Sequence, residues 1–200
     1  MLSNRNNISN KKNNTMRKLK LQMQITIDGF VAGTAGELDW MTFDMDEKLL
    51  NFIVNLTDSS DTILMGRKMT EGFVTYWENV QPDSPEFMFA QKMVNIPKIV
   101  FSKTVKNIAG KNVTIENGDL VTAINKLKNQ EGKDIIVYGG ANFVSSLIKH
   151  NLIDEVNLFI NPVAIGNGLK IFFDRKPFTL INSTAYATGI VVNTFKPSNK

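Results

Sequence analysis

The chain has 200 residues, enough for one folded domain, and 42% of them are hydrophobic, which excludes a wholly disordered protein. It contains no cysteine, which excludes disulfides, thiolate metal sites and cysteine nucleophiles and favours a cytoplasmic location. No apolar run approaches the roughly 18 residues that cross a bilayer, so we expect no membrane span.

The net charge of +4 is concentrated at the N-terminus. The first twenty residues carry six basic side chains and no acidic one, whereas the other 180 carry 17 basic and 19 acidic side chains. We therefore expect no nucleic-acid surface on the folded body. Residues 1–15 are rich in asparagine and lack periodicity, which predicts a disordered tail ahead of a domain at 16–200. Two alternatives stay open: a basic arm that contacts nucleic acid, and translation from Met16 instead of Met1.

The domain is predicted to begin with a strand, a loop and a helix. Apolar and polar residues alternate over 19–27, and this period of two is typical of a strand. A glycine-containing loop then runs to Trp40. Asp44 stands three residues before Glu47, the spacing of a capping box, which predicts a helix over about 45–57.

Three short strands and three helices are predicted in the middle of the chain. Ser84 and Asp119 are the predicted N-caps of the second and third of these helices. The strands are predicted at 61–65, 98–101 and 113–115, and the helices at 67–76, 85–94 and 120–127.

The C-terminal part predicts the rest of an α/β fold. Strands are expected at 134–138 and 154–160, with a helix between them that ends at His150. Two further strands, 178–187 and 190–195, are expected to form a hairpin through Thr188-Gly189. Strands that alternate with helices predict a mixed, mainly parallel sheet covered on both faces, and the hairpin adds antiparallel strands at one edge.

Two junctions between a strand, a glycine and a helix could bind an anion. They are Leu64–Lys68 and Val137–Asn142. A glycine lets a ligand approach the backbone closely, and the following helix offers free N–H groups and a positive dipole end. Arg67, Lys68 and Lys103 could add full positive charges. The spacing alone leaves open that these glycines only form tight turns.

Other kinds of chemistry find little support. No G-x-G-x-x-G follows the first strand, so the common dinucleotide fingerprint is missing. His150 is the only histidine and is predicted to cap a helix C-terminus, so we expect neither a catalytic triad nor a metal site. The acidic cluster of Asp44, Asp46 and Glu47 is interpreted as a helix cap.

Five segments, in order along about 19–195, resemble the dihydrofolate-reductase-like superfamily. The resemblance is closest to the reductase domain of the bacterial riboflavin-biosynthesis deaminase–reductase (the RibD C-terminal domain) and its single-domain relatives. The segments are Ile25–Gly33 with Gly36–Trp40, Ile63–Lys68, Ile99–Thr104, Tyr138–Ala141, and Leu152–Val163 with Gly166–Gly168.

The resemblance implies a three-layer fold with NADP(H) lying across the carboxyl ends of the strands. Trp40 would form a wall of the substrate pocket, and the chain would form a homodimer. The cofactor-binding residues that the resemblance implies are Gly66, Arg67, Lys68, Ser102 and Lys103 on the adenosine side, Gly139, Gly140, Ala141 and Asn142 at the pyrophosphate, and Val31 and Ala32 beside the nicotinamide.

The sequence departs from the family pattern at the cofactor and at the substrate. Met69 stands where the family often has threonine, so one hydrogen bond to phosphate is missing unless Thr70 supplies it. The folate enzymes carry an acid four residues before a phenylalanine, and counting back from Phe52 gives Lys48. Their arginine for the substrate carboxylate would fall near Ile96-Pro97. We therefore expect a substrate other than dihydrofolate, and no second phosphate site for a riboflavin precursor can be identified.

The sequence thus predicts hydride transfer from NADPH to a polarised C=N or C=O bond of a small molecule, with a heterocycle as one candidate. Asp39, beside Trp40, is the candidate that delivers or relays a proton, with a role as a turn residue as its alternative. A non-catalytic module that binds a nucleotide or another protein on the same fold is the alternative function.

Overall fold

The protein folds around an eight-stranded sheet, in a computed structural model that describes residues 16–42 and 44–198. The strands are β1 (Leu19–Thr26), β2 (Ser60–Gly66), β3 (Lys98–Phe101), β4 (Val113–Glu116), β5 (Asp134–Gly139), β6 (Glu155–Asn161), β7 (Phe178–Ala185) and β8 (Val191–Pro197). Their order across the sheet is β4-β3-β2-β5-β1-β6-β8-β7. The first six strands are parallel, and β8 pairs antiparallel with β6 and β7. The predicted sheet with its C-terminal hairpin at one edge is confirmed.

Helices cover both faces of this sheet and make three layers. They are α1 (Glu47–Asp58), α2 (Arg67–Glu78), α3 (Phe87–Asn95), α4 (Leu120–Lys128) and α5 (Ala141–Lys149). Successive residues of a strand point to opposite faces. Accordingly, Ile63 of β2 packs in one core cluster with Met93 of α3, whereas Leu64 packs in another with Ile124 of α4 and Val144 of α5. The predicted three-layer fold is confirmed.

The N-cap of α1 is Asp46, so the prediction that Asp44 opens this helix was wrong. Oδ1 of Asp46 accepts a hydrogen bond of 2.8 Å from the Leu49 amide, and Oδ2 accepts one of 2.8 Å from the amide of Ala187. The Leu49 hydrogen bond holds the pKa of Asp46 below its ordinary value. Asp46 prevails because it also reaches the β7–β8 turn, a tertiary contact that local spacing does not reveal.

Helix α3 begins at Phe87, with Glu86 as its N-cap residue, so the predicted start at Ser84-Pro85 was wrong. The Ser84 hydroxyl oxygen accepts a hydrogen bond of 3.2 Å from the Glu86 amide. The Ser84 carbonyl accepts one of 3.0 Å from the Phe87 amide. Serine therefore closes a turn that precedes the helix, which is the local competition that short hydroxyl side chains offer to helical hydrogen bonds.

Two other predicted caps are confirmed. Asp119 accepts a hydrogen bond of 2.9 Å from the Thr122 amide and opens α4. His150 is the C-cap residue of α5.

The tail predicted at 1–15 lies outside the described residues. Within 16–42 and 44–198, no helix combines the length and the apolar character that crossing a membrane requires.

Candidate active site at the carboxyl edge of the sheet

The carboxyl ends of the parallel strands form one edge of the sheet, and the residues expected to bind a cofactor gather there. Strands β3, β2, β5 and β1 are consecutive neighbours and run in the same direction. The segments that end or follow them therefore lie side by side. They contain Ser102 and Lys103, then Gly66, Arg67 and Lys68, then Gly139, Gly140, Ala141 and Asn142, and finally Val31 and Ala32.

Glycines permit close contact between β2 and the start of α5. A Cβ on Gly66 would lie only 2.8 Å from the Cβ of Phe143. Gly139 has a φ of +137°, which disfavours any residue with a side chain. A Cβ on Gly140 would have no described atom within 4 Å, so there is open space beside the Cα of this residue at the start of α5. A helix N-terminus beside open space fits the diphosphate of a dinucleotide.

Two exposed cations of this edge are the first residues of α2. Arg67 and Lys68 are both exposed, and the first turn of α2 contains no acidic residue. Thr70 does not replace the threonine expected at position 69, so that suggestion was wrong. Its side chain is fully buried, and its hydroxyl donates a hydrogen bond of 3.1 Å to the carbonyl of Gly66. The missing contact is thus left without a substitute from α2.

Ser102 and Lys103 stabilise the turn after β3. The Ser102 side chain is buried, and its oxygen accepts a hydrogen bond of 3.0 Å from the Val105 amide. The ammonium of Lys103 donates hydrogen bonds of 2.7 and 2.5 Å to the carbonyls of Asn117 and Gly118. Lys103 therefore contacts the loop before α4 and would have to leave it to bind a ligand phosphate.

The segment expected beside the nicotinamide is fixed to the loop after β6. The Val31 amide donates a hydrogen bond of 2.9 Å to the Leu169 carbonyl, and the Leu169 amide donates one of 2.9 Å to the Ala32 carbonyl. A Cβ on Gly168 would overlap with the Ala32 carbonyl oxygen, so only glycine permits this approach. Val31 and Ala32 are both buried.

Asp28 provides a second connection between these two loops. Its carboxylate accepts hydrogen bonds of 2.7 and 3.1 Å from the amides of Gly166 and Ile165. The Thr26 hydroxyl donates another of 2.5 Å, and this bond holds the pKa of Asp28 below its ordinary value. Asp28 comes directly after the predicted strand, and the structure shows that it fixes the loop after β6 to the site.

Trp40 lies in the loop before α1, at the β6 side of this edge. Its ring is half-buried, and its Nε1 is buried without a hydrogen-bond partner among the described residues. The Thr42 amide lies 3.4 Å from Oδ1 of Asn161, which places this segment over the end of β6. Asp39 is exposed, and its carboxylate has no contact in the described part of the chain that would orient it.

Sequence reasoning missed a row of polar side chains on one face of β1. Gln22, Gln24 and Thr26 face the same side as Asn157 and Asn161 of the neighbouring β6. Their alternation with apolar residues predicted a strand, and β1 lies in the centre of the sheet. Central parallel strands are usually apolar on both faces, so a polar row there is the signal that could have located a ligand-facing surface.

Tyr138 borders this polar face from β5. Its hydroxyl lies 2.9 Å from Oγ1 of Thr57 in α1. Burial raises the pKa of Tyr138 to about 12, so the phenol stays neutral at physiological pH. It contributes a fixed hydroxyl dipole to the site and does not ionise there.

Comparison with known proteins gives one family. The model of the RibD C-terminal domain matches residues 17–192. The uncharacterized protein YyaP of Bacillus subtilis (strain 168) is 35% identical over 180 residues, which cover 88% of this chain and 92% of YyaP.

Solved structures share the fold at low sequence identity. The deaminase/5-amino-6-(5-phosphoribosylamino)uracil reductase of Thermotoga maritima superimposes with a TM-score of 0.65 and 19% identity, over 92% of this chain and 57% of that one. Dihydrofolate reductase from Enterococcus faecalis, complexed with NADP(H), superimposes with a TM-score of 0.58 and 14% identity, over 91% of this chain and 97% of that one. Likeness at this identity shows the dihydrofolate-reductase-like fold.

Proposed function

The chain belongs to the RibD C-terminal domain family, and on that premise we propose that it is an NADP(H)-dependent reductase of a small molecule. The observation that carries the proposal is the open space beside the Cα of Gly140 at the start of α5, next to the exposed Arg67 at the start of α2. Two helix N-termini and a guanidinium at neighbouring strand ends suit the diphosphate and the 2′-phosphate of one dinucleotide.

Each part of the cofactor has candidate partners at this edge. Arg67 and Lys68 would bind the 2′-phosphate, with Ser102 and Lys103 beside the adenosine. Gly139 to Asn142 would bind the diphosphate, and Gly66 gives them room. Val31 and Ala32 would contact the nicotinamide through their backbone groups. Bound in this way, the cofactor supplies the hydride.

The protein itself would orient the substrate and exclude water. The polar face of β1 and β6 would form the floor of the substrate pocket, and Trp40 would form one wall. Trp40 offers an indole N–H that has no partner among the described residues, so a substrate carbonyl could accept a hydrogen bond from it. Asp39 remains the candidate for proton delivery through water, because it is exposed beside that wall.

The substrate is proposed to differ from dihydrofolate. Lys48, the residue at the expected position of the acid, is exposed on α1. Asp46 is already committed to the amides of Leu49 and Ala187, and Glu47 is exposed. None of these three side chains is therefore placed to hold a protonated heterocycle at the floor of the pocket. A neutral, carbonyl-containing heterocycle fits the amide side chains better.

The first experiment is a calorimetric titration of the full chain with NADPH and, separately, with NADH, followed also by tryptophan fluorescence. We expect NADPH to bind more tightly than NADH because of its 2′-phosphate. Absence of binding to either would refute the reductase and leave a repurposed fold. If NADPH binds but no carbonyl or pterin compound consumes it, the alternative of a non-catalytic nucleotide-binding module gains support.

We also propose that the chain acts as a homodimer in a reducing compartment such as the cytoplasm. Strand β7 is the last strand of the sheet and exposes Leu180 and Ile181 by 53% and 56%. The absence of cysteine supports the compartment. Light scattering after size exclusion tests the dimer: Leu180→Lys with Ile181→Lys should convert it to a monomer. A wild-type monomer would refute it.

A further inference from the structure

One hydrogen-bond donor of the candidate diphosphate site already has a partner, which is a sulfur atom. The backbone N–H of Gly140 donates a hydrogen bond of 3.1 Å to Sδ of Met69. The same sulfur would lie 3.0 Å from a Cβ on Gly139. Met69 is the third residue of α2, so its side chain crosses from the β2 junction to the β5 junction. A single side chain thus covers the point where the two proposed anion-binding turns meet.

A thioether is a weak partner for this amide. Sulfur in methionine is a poor hydrogen-bond acceptor, whereas a phosphate oxygen carries negative charge and accepts strongly. The Gly140 amide lies at the N-terminus of α5, where the helix dipole further favours an anion. An arriving diphosphate would therefore form a stronger hydrogen bond at this amide than Met69 does.

The side chain of Met69 has an alternative position in which it can pack. It is half-buried and packs against the same apolar cluster as Phe73 of α2 and Tyr138 of β5. Methionine is unbranched and has three rotatable bonds, so it can turn from the amide toward these rings with little loss of packing. Sulfur–aromatic contacts are themselves favourable.

We propose that Met69 is a displaceable cap on the Gly140 amide that lowers the affinity of this site for a dinucleotide diphosphate. The inference rests on the proposed function, since it assumes that the diphosphate binds at the start of α5. In the free protein Met69 satisfies the amide and covers the junction. In the bound protein the diphosphate takes the amide, and the Met69 side chain lies against the rings of Phe73 and Tyr138.

The affinity test uses the full chain with Met69→Leu, which keeps the apolar volume and removes the acceptor, and Met69→Ala, which also removes the side chain. Met88→Leu on α3 is the matched control, because Met88 is 79% exposed and belongs to a different helix surface. Both Met69 variants should bind NADPH and ADP more tightly than wild type, by on the order of fivefold. Adenosine, which lacks phosphate, should bind all four proteins equally.

A spectroscopic test observes the displacement directly. Protein labelled with ¹³C in the methionine methyl groups gives one signal for each methionine, and the Met69 signal is the one missing from Met69→Leu. Saturation with NADPH should move the Met69 signal strongly toward the ring-shifted range and leave the Met88 signal in place. This readout does not depend on turnover or on the identity of the substrate.

The outcomes separate the cap from the proposed function. If wild type binds NADPH, while the variants bind it equally well and the Met69 signal does not move, the cap is wrong and the reductase proposal stands. If only the Met69 variants bind NADPH, the cap is supported, and Met69 lowers the affinity of wild type below detection. If neither wild type nor any variant binds NADPH or ADP, the reductase proposal and the cap both fail.

Discussion

Nδ2 of Asn161 donates a hydrogen bond of 2.7 Å to Oε1 of Gln24, joining β6 and β1 on their polar face. The other Nδ2 hydrogen goes to the carbonyl of Phe159 at 3.1 Å. A backbone carbonyl only accepts, so the nitrogen of Asn161 must face it, and Oε1 of Gln24 is fixed as an acceptor. The NH₂ group of Gln24 is therefore directed to donate. The floor of the proposed substrate pocket presents uncharged amide groups: the donor of Gln24, and Oε1 of Gln22, which is a buried acceptor with no partner among the described residues.

Asn161→Asp should destabilise the protein at neutral pH by about 1–3 kcal/mol, because a buried carboxylate would face two acceptors. The loss should shrink near pH 5, since burial raises the pKa of the introduced carboxyl and its protonated form can donate once more. Urea denaturation at both pH values measures this. Gln24→Glu, at a half-buried position, should cost less; an equal cost would contradict the hydrogen-bond assignment.

Arg67→Ala should weaken NADPH binding by about tenfold or more and leave NADH binding nearly unchanged. The reason is that a guanidinium binds the 2′-phosphate, which NADH lacks. Competitive titration with both dinucleotides is the measurement. Arg175→Ala is the matched control, because Arg175 is exposed in the loop before β7. A similar loss for both dinucleotides would place Arg67 elsewhere on the cofactor.

Asp28→Ala should release the loop after β6. The Gly166 and Ile165 amides lose their acceptor, so their hydrogen exchange should accelerate, while exchange in β5 should stay slow. Asp174→Ala, at an exposed carboxylate of the same connection, should leave both amides protected. Slow exchange of these amides in Asp28→Ala would mean that Val31 and Ala32 alone fix the loop.

The contact between the Asp28 carboxylate and the loop after β6 should weaken in acid. The Thr26 hydrogen bond lowers the pKa of Asp28 in the folded protein. Its stabilising contribution is therefore complete above the ordinary aspartate pKa of about 3.9 and is lost as the pH falls through the lowered value. Exchange at Gly166, corrected for the intrinsic pH dependence, should rise only below that range. A rise near neutral pH would have another cause.

Lys98 is fully buried, and its ammonium donates to the carbonyls of Val94, Ile96 and Lys111 at 2.9, 2.9 and 3.3 Å. Lys98→Met leaves these carbonyls without a donor and should destabilise the protein by about 1–3 kcal/mol. Burial, opposed by Glu78, lowers the pKa of Lys98 to about 8.

The pH dependence of this loss has a defined sign. Above about pH 8 the folded protein releases a proton that the unfolded chain keeps up to about pH 10.4, so wild-type stability gains with rising pH. The gap between wild type and Lys98→Met should therefore widen from about pH 7.5 to pH 9.5 in urea denaturation. A constant gap would show that Lys98 keeps an ordinary pKa in the fold.

Local pattern was sufficient to predict most elements of this fold. The period of two in β1, the apolar run of β5 and the cap at Asp119 each act within a few residues, so their signals are present in the sequence. The two wrong helix starts show the limit. Asp46 prevails over Asp44 through Ala187, and Ser84 closes a turn of its own.

The candidate site also has parts that the local sequence predicts and parts that depend on the tertiary structure. The sequence by itself determined the glycine junctions and the cations after β2, because a strand end followed by glycine and a helix is a local pattern. Only the tertiary structure decided that Lys103 bonds to the loop before α4, that Asp28 fixes a loop more than 130 residues away, and that Met69 covers the amide of Gly140. These contacts join distant segments, and their partners follow from strand order, which local spacing does not encode.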